Sequence, residues 1–207
     1  SLNSTEIAEI YNAGKDSYSP IGSGLVAQYS GRDFNGTEAS PTMIYDTNHM
    51  TQGYNTTKSI SSNRFDGINN YIIVSNISSI NNSNYTLSGW VKIDKNTDIQ
   101  SVIDIGTTVS SSGIRYYSNY KAFTFFAVNS SGSTFSTERS PETTIGKWYL
   151  VTATKSGNNI SFYFDGNFIS STTLMGSQRN IEKAFLGNGI SFSSLLAGSI
   201  DDVMIWN

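Results

Sequence analysis

The chain has 207 residues, a net charge of −3, 14% charged residues and no cysteine. A length of this order suits one domain with a substantial core. The mild charge, with no basic run or acidic tract, points away from nucleic acid; the missing cysteine excludes disulfides and thiol chemistry; and no stretch approaches the roughly 18 apolar residues of a membrane span.

The first element is a helix, expected over residues 4–13 of SLNSTEIAEIYNAG. Asn3 is a favoured N-cap, and Glu6 three residues on completes a capping box. Leu2 and Ile7 have the spacing of a hydrophobic staple. Ile7, Ile10 and Tyr11 share one face, and Gly14 is placed to end the helix in a left-handed conformation. Such a helix of about three turns is marginal alone in water, so the rest of the chain has to supply a surface for it.

Residues 19–24, SPIGSG, read as a linker, and short strand patterns follow. GLVAQYS is one. Residues 32–59 are less periodic and read as a long loop or insertion carrying His49 and Tyr54. NRFDGINNYIIV reads as two strands around an Asp–Gly turn, or as one strand entering the turn and one leaving it. YTLSGWVKID alternates, with Tyr85, Leu87, Gly89, Val91 and Ile93 on one side and Thr86, Ser88, Trp90 and Lys92 on the other. SVIDIG, GIRYYS and KAFTFFAV come next. Residues 147–174 hold three strands separated by Gly-Asn-Asn and Asp-Gly-Asn turns, and KAFLG and SIDDVMIWN close the series. About a dozen short strands with turn chemistry between them predict an all-β antiparallel sandwich with one short N-terminal helix.

Abundant Ser, Thr and Asn with scarce Lys and Glu suit an extracellular or cell-surface protein built from turns and exposed strands. Eight N-x-S/T sequons start at Asn3, Asn35, Asn55, Asn76, Asn81, Asn84, Asn129 and Asn159. With 21 Asn and 54 Ser plus Thr, this is close to chance, so the sequons permit glycosylation without indicating it.

GLVAQYS, RFDGINNYIIV, YTLSGWVKID, GKWYLVTATKSGNNISFYFDGNFI and GSIDDVMIWN occur in the order seen in laminin-G-like domains of the concanavalin A-like lectin/glucanase superfamily. The resemblance spans residues 22–207. It implies a jelly roll of two curved antiparallel sheets. Where those domains commonly carry a His after the Trp148 segment, this chain has Leu150. Their last strand typically runs into a short helix rich in Glu, Ile and Tyr, and residues 1–14 resemble that helix displaced to the front. The resemblance therefore implies a tandem array, with residues 1–21 the helix and linker of a preceding repeat and residues 22–207 the jelly-roll domain. A fortuitous N-terminal helix is the plainer alternative. In either case Ile7, Ile10 and Tyr11 are expected in a groove beside the last strand, within the chain or between neighbouring copies.

Glucanases of this superfamily carry a Glu-x-Asp-x-x-Glu strand, and none of the Glu residues here has that spacing. His49 has no evident nucleophile, and the sequence holds no zinc-ligand cluster, so a non-enzyme is expected. The resemblance implies a structural Ca2+ held by an Asp on the last strand. Asp201 matches, on an expected phase with Val203 and Ile205 toward the core, and Asp66 in the Phe-Asp-Gly turn is a second candidate. The blander readings are a turn cap for Asp66 and a solvated edge charge for Asp202. For sugar binding, Arg115, Tyr117, Asn119 and Tyr120 offer amide, guanidinium and ring chemistry, although alternation must bury either Tyr116 or Tyr117. Trp90 and Trp148 suit the core or a sheet face, and Val151, Phe162 and Phe164 suit the core. The expected role is an adhesion or carbohydrate-recognition module of a larger secreted or surface protein, one of several repeats. Its partners would be a glycan or a surface protein and neighbouring copies, with no nucleic acid and no membrane insertion. The alternative is a structural spacer or self-assembly module without a glycan ligand.

Overall fold

The computed structural model describes residues 1–15, 25–29, 43–44, 62–75, 77, 80, 84–107, 110–189 and 194–207, with the backbone alone at 25–29, 43–44, 75 and 110. In chain order the elements are α1 (Ser4–Ala13), β1 (Leu25–Tyr29), β2 (Met43–Ile44), β3 (Asn63–Asp66), β4 (Ile72–Ser75), β5 (Asn84–Ile93), β6 (Ile99–Thr107) and β7 (Ser110–Tyr117). There follow β8 (Ala122–Val128), β9 (Thr134–Ser136), β10 (Trp148–Ser156), β11 (Asn159–Phe164), β12 (Asn167–Thr173), β13 (Lys183–Leu186) and β14 (Ala197–Trp206). The first sheet runs β1-β14-β5-β10-β11-β12, with β3 also paired to β14, and the second runs β2-β4-β13-β6-β7-β8-β9. Every pairing is antiparallel, so the expected two-sheet sandwich is the observed one.

Alternation builds the core between the sheets. Tyr85, Leu87, Val91 and Ile93 of β5, Val151 and Ala153 of β10, and Phe162 and Phe164 of β11 meet Ile103, Ile105, Ile114, Phe123 and Phe125 of the other sheet. Of the two readings of the 63–75 stretch, one strand entering the turn and one leaving it is the observed one. Residues 63–75 do not form a hairpin: β3 pairs with β14 in the first sheet, and β4 pairs with β13 in the second. The Asp66–Gly67 turn is thus a corner between sheets. Gly67 is needed there, because its φ is +75° and a Cβ would press on Ala197. The sequence reading missed the three-residue β9 and the two-residue β2, and the rest of the 32–59 stretch, with His49 and Tyr54, lies outside the described residues.

The helix start is built as a capping box. Asn3 Oδ1 accepts from the Thr5 and Glu6 N–H groups at 2.9 and 3.0 Å, and Glu6 Oε2 accepts from Asn3 N–H at 2.8 Å. Asn3→Ala is expected to cost about 1 kcal/mol, read by urea unfolding. At the other end Gly14 has φ 83° and ψ 169°. Only the sign of φ matches the expected left-handed cap, since ψ is far from the left-handed helical value.

The helix lies on the face of the first sheet turned away from the core. Cross-strand register gives that face three rungs: Asp201–Trp90–Leu150, Met204–Ser88–Thr152–Tyr163 and Trp206–Thr86–Thr154–Ser161. The middle rung is large at both ends and small at its centre, where Ser88 and Thr152 satisfy each other at 2.7 Å. Leu2, Ile7 and Ile10 join Trp90, Leu150, Tyr163, Met204 and Trp206 in one buried apolar cluster. At about 1.5–3 kcal/mol per fully buried large apolar side chain, this packing supplies what the isolated helix lacks. Tyr11 departs from the expected pattern: it is 37% exposed, with its ring stacked on Trp90 at 5.8 Å.

Candidate functional site

A second polar constellation sits on the outer face of the other sheet. Its basis is a bulge in β6 between Ser101 and Ile103. Ser101 and Asp104 are three positions apart, so regular pleating would put them on opposite faces. The bulge takes up one residue and turns both toward the side chain of Arg115 on β7. Arg115 Nε donates to Ser101 Oγ at 3.2 Å, and Nη2 donates to Asp104 Oδ2 at 3.3 Å. Ser111 Oγ donates to the same carboxylate oxygen at 3.1 Å. The guanidinium also stacks on the Phe126 ring, 3.9 Å from its centroid. Asp104 is fully buried, while the Arg115 side chain is 22% exposed.

The arrangement fixes a guanidinium without exhausting it. Two of its five N–H groups go to Ser101 and Asp104, and among the described residues Nη1 makes no hydrogen bond. Asp104 neutralises the charge, and Phe126 holds the plane. Beside Arg115 on the same face stand Tyr117, half-buried, and its cross-strand partner Ile99, exposed. A planar donor held next to a ring and an apolar side chain suits a hydroxyl-rich ligand with one apolar face.

The expected ligand residues divide. Arg115 and Tyr117 share this face. Tyr116 takes the other side, fully buried, with its hydroxyl donating to Asn96 Oδ1 at 2.8 Å. Asn119 and Tyr120 lie exposed in the turn between β7 and β8, where Tyr120 stacks against Arg139 at 3.6 Å. Sequence reasoning missed Asp104 and Phe126. The signal for Asp104 was present, a carboxylate in the middle of the apolar run VIDI. Among the sequons, Asn129 is only 6% exposed, and its Nδ2 donates to the Met175 carbonyl at 2.8 Å, so that nitrogen is committed.

Residues 66–207 match the laminin G family described as the concanavalin A-like lectin/glucanases superfamily. The chain belongs to the concanavalin A-like lectin/glucanase superfamily. Comparison with curated proteins finds no match. Among solved structures, the botulinum neurotoxin type G receptor binding domain is similar at TM-score 0.57 and 13% identity, over 71% of this chain and 39% of that one. The botulinum neurotoxin serotype D binding domain is similar at 0.56 and 18%, over 70% and 39%. Trypanosoma rangeli sialidase is similar at 0.54 and 15%, over 70% and 25%. The matched part thus spans about two fifths of the toxin domains and a quarter of the sialidase, and at these identities the likeness is one of fold.

For a member of this superfamily the two aspartates named for calcium are instructive. Asp66 Oδ1 accepts from the N–H groups of Ile68, Asn69 and Asn70 at 2.8–3.3 Å. Burial alone would raise its pKa, but these donors together outweigh it and hold the carboxyl below the usual range. Asp66 is therefore the cap of its own turn. Asp201 does not face the core. A bulge between Asp201 and Met204, with Asp202 at φ 44°, breaks the phase and places Asp201 opposite Trp90 under the helix. There it accepts from Lys15 Nζ at 2.9 Å, while its other oxygen accepts from Asp202 N–H at 2.9 Å. Asp202, expected as a solvated edge charge, is buried, because β14 lies inside the sheet between β5 and β1. Asp66 stands opposite Ala197, four residues from Asp201, about 13 Å along the strand. The two carboxylates cannot share an ion, and Asp201 already holds a cation, so these residues as arranged do not fit a common calcium. Among the described residues no group of three or more His, Cys, Asp or Glu gathers for a metal.

Proposed function

We propose that the protein is a non-catalytic carbohydrate-recognition or adhesion module of a secreted or surface protein, with its ligand on the Arg115 face. One observation carries the reading: a guanidinium pinned by Ser101, buried Asp104 and Phe126 has, among the described residues, no partner for its Nη1 donors beside Tyr117. A preorganised donor loses little freedom on binding, which is where weak sugar ligands otherwise lose affinity. The superfamily supports this reading, as do the fold neighbours, a toxin receptor binding domain and a sialidase. An extracellular setting accords with the Ser-, Thr- and Asn-rich composition, and among the described residues no helix is long and apolar enough to cross a membrane.

The test is a glycan array with the parent chain, Tyr117→Ala and Arg115→Lys. A charged hydrogen bond is worth about 1.5–3 kcal/mol, so Arg115→Lys should weaken any glycan bound by about tenfold or more. Tyr117→Ala should reduce binding with little change in melting temperature, since the ring is only half-buried. A parent chain that binds nothing on the array, or binds undiminished in both variants, would overturn the proposal.

A further inference from the structure

The edges of the Arg115 guanidinium are used unequally. Nε and Nη2 lie along one edge of the planar group, and that edge is taken by Ser101 and Asp104. The edge between Nη2 and Nη1 carries a second parallel pair of N–H bonds. Among the described residues nothing accepts from Nη1, so this second fork is intact. Cross-strand register sets Gly113 between Asp104 and Phe126. The guanidinium touches both of those side chains, so it lies over Gly113, where no side chain lifts it from the sheet. It is held from two sides and still keeps 22% of its side chain exposed.

The surroundings decide what such a fork can receive. Ser101, Asp104 and Thr124, the polar side chains next to it in the register, are all buried. Asp104 Oδ2 already accepts from Ser111 Oγ and Arg115, and Thr124 Oγ1 donates to the Thr137 carbonyl at 2.9 Å. A ligand is left with guanidinium N–H donors and, as acceptors, the hydroxyl oxygens of half-buried Ser111 and Tyr117. Neutral sugars present hydroxyls, which have to donate as well as accept, and open carboxylates or amides serve them best. A carboxylate only accepts, and its two oxygens match the spacing of a guanidinium fork. Asp104 leaves the ion pair formally neutral, so the selectivity of this face is directional and does not come from a positive field. We infer, resting on the carbohydrate reading of this face, that its ligand is a carboxylated sugar, a hexuronate or a sialic acid. The carboxylate takes the Nη1–Nη2 edge, and the ring lies against Tyr117 and Ile99.

NMR titration of the full chain with methyl glucuronoside, methyl sialoside and the methyl ester of each tests this. The parent should bind the acid of at least one sugar about tenfold or more tighter than its ester, the worth of a charged hydrogen bond. The sugar that shows this ratio identifies the source of the carboxylate. The comparison needs no variant, so it holds even where a variant fails to fold. In Arg115→Lys the ratio should shrink toward one, because an ammonium is a point charge without a fork. In Tyr117→Ala acid and ester should weaken alike and the ratio should persist. Esters bound as tightly as their acids would overturn the carboxylate assignment and leave the glycan reading standing. So would methyl galactoside 6-sulfate bound as tightly as the acids, or a chain that binds neutral glycans on an array and neither acid. A chain that binds no probe and no glycan would overturn both.

Discussion

Gly113→Ala is expected to lower stability by about 3 kcal/mol, at the upper end of overpacking costs. For a chain of this size that is a fall in melting temperature of about 6–12 °C. Gly113 stands between Asp104 on β6 and Phe126 on β8. A Cβ on it would overlap the Ile103 carbonyl oxygen and the Asp104 carboxylate. A side chain can swing aside, but a carbonyl in a sheet ladder cannot move without parting the strands. The added methyl therefore has to push β6 from β7 where the bulge brings Ser101 and Asp104 to Arg115. Calorimetry should show the loss, and glycan binding should fall with it. Removing the carboxylate as well, in Gly113→Ala/Asp104→Ala, should restore little, since the carbonyl remains. A melting point within about 1 °C of the parent would mean that the strands already have slack there.

Two bulges explain most of what the sequence did not disclose. The strands of residues 85–93 and 148–164, the core positions and the capping box were legible, because period-two alternation and cap chemistry are local. The face of a charged residue is legible only while alternation is unbroken. In β14 the extra residue at Asp202 carries Asp201 from the core side to the helix side. In β6 the extra residue between Ser101 and Ile103 brings Ser101 onto the same face as Asp104. Neither position contains a glycine or proline to announce the irregularity. The aspartates were visible as residues, but their partners, Lys15 at a distance of 186 positions and Arg115 at 11, were not. The Asp–Gly turn after Phe65 left two readings open for a related reason: a two-residue turn has the same sequence signature whether it folds a hairpin or turns a corner between sheets.

The ion pair under the helix should show a marked asymmetry. Lys15→Ala is expected to cost about 3–5 kcal/mol, because it withdraws the ammonium from a fully buried carboxylate. Asp201→Asn should cost clearly less. Asparagine keeps an oxygen to accept from Asp202 N–H, so the strained bulge stays tied, and the Lys15 ammonium, 21% exposed on a flexible stem, can turn to water. The double variant Lys15→Ala/Asp201→Asn should then be more stable than Lys15→Ala alone, since the charge left behind is gone. That sign distinguishes a buried pair from a surface one, for which both single variants cost about 0–1 kcal/mol and the double simply adds. Urea unfolding of the four chains measures the cycle. Moderate salt should change the coupling little, because a pair closed off by the helix, Trp148 and β14 is poorly screened. If Lys15→Ala and Asp201→Asn cost the same small amount, the carboxylate reaches water once the lysine is gone, and the helix is then held by its apolar side chains, the Tyr11–Trp90 stack and the Leu2–Thr86 hydrogen bond.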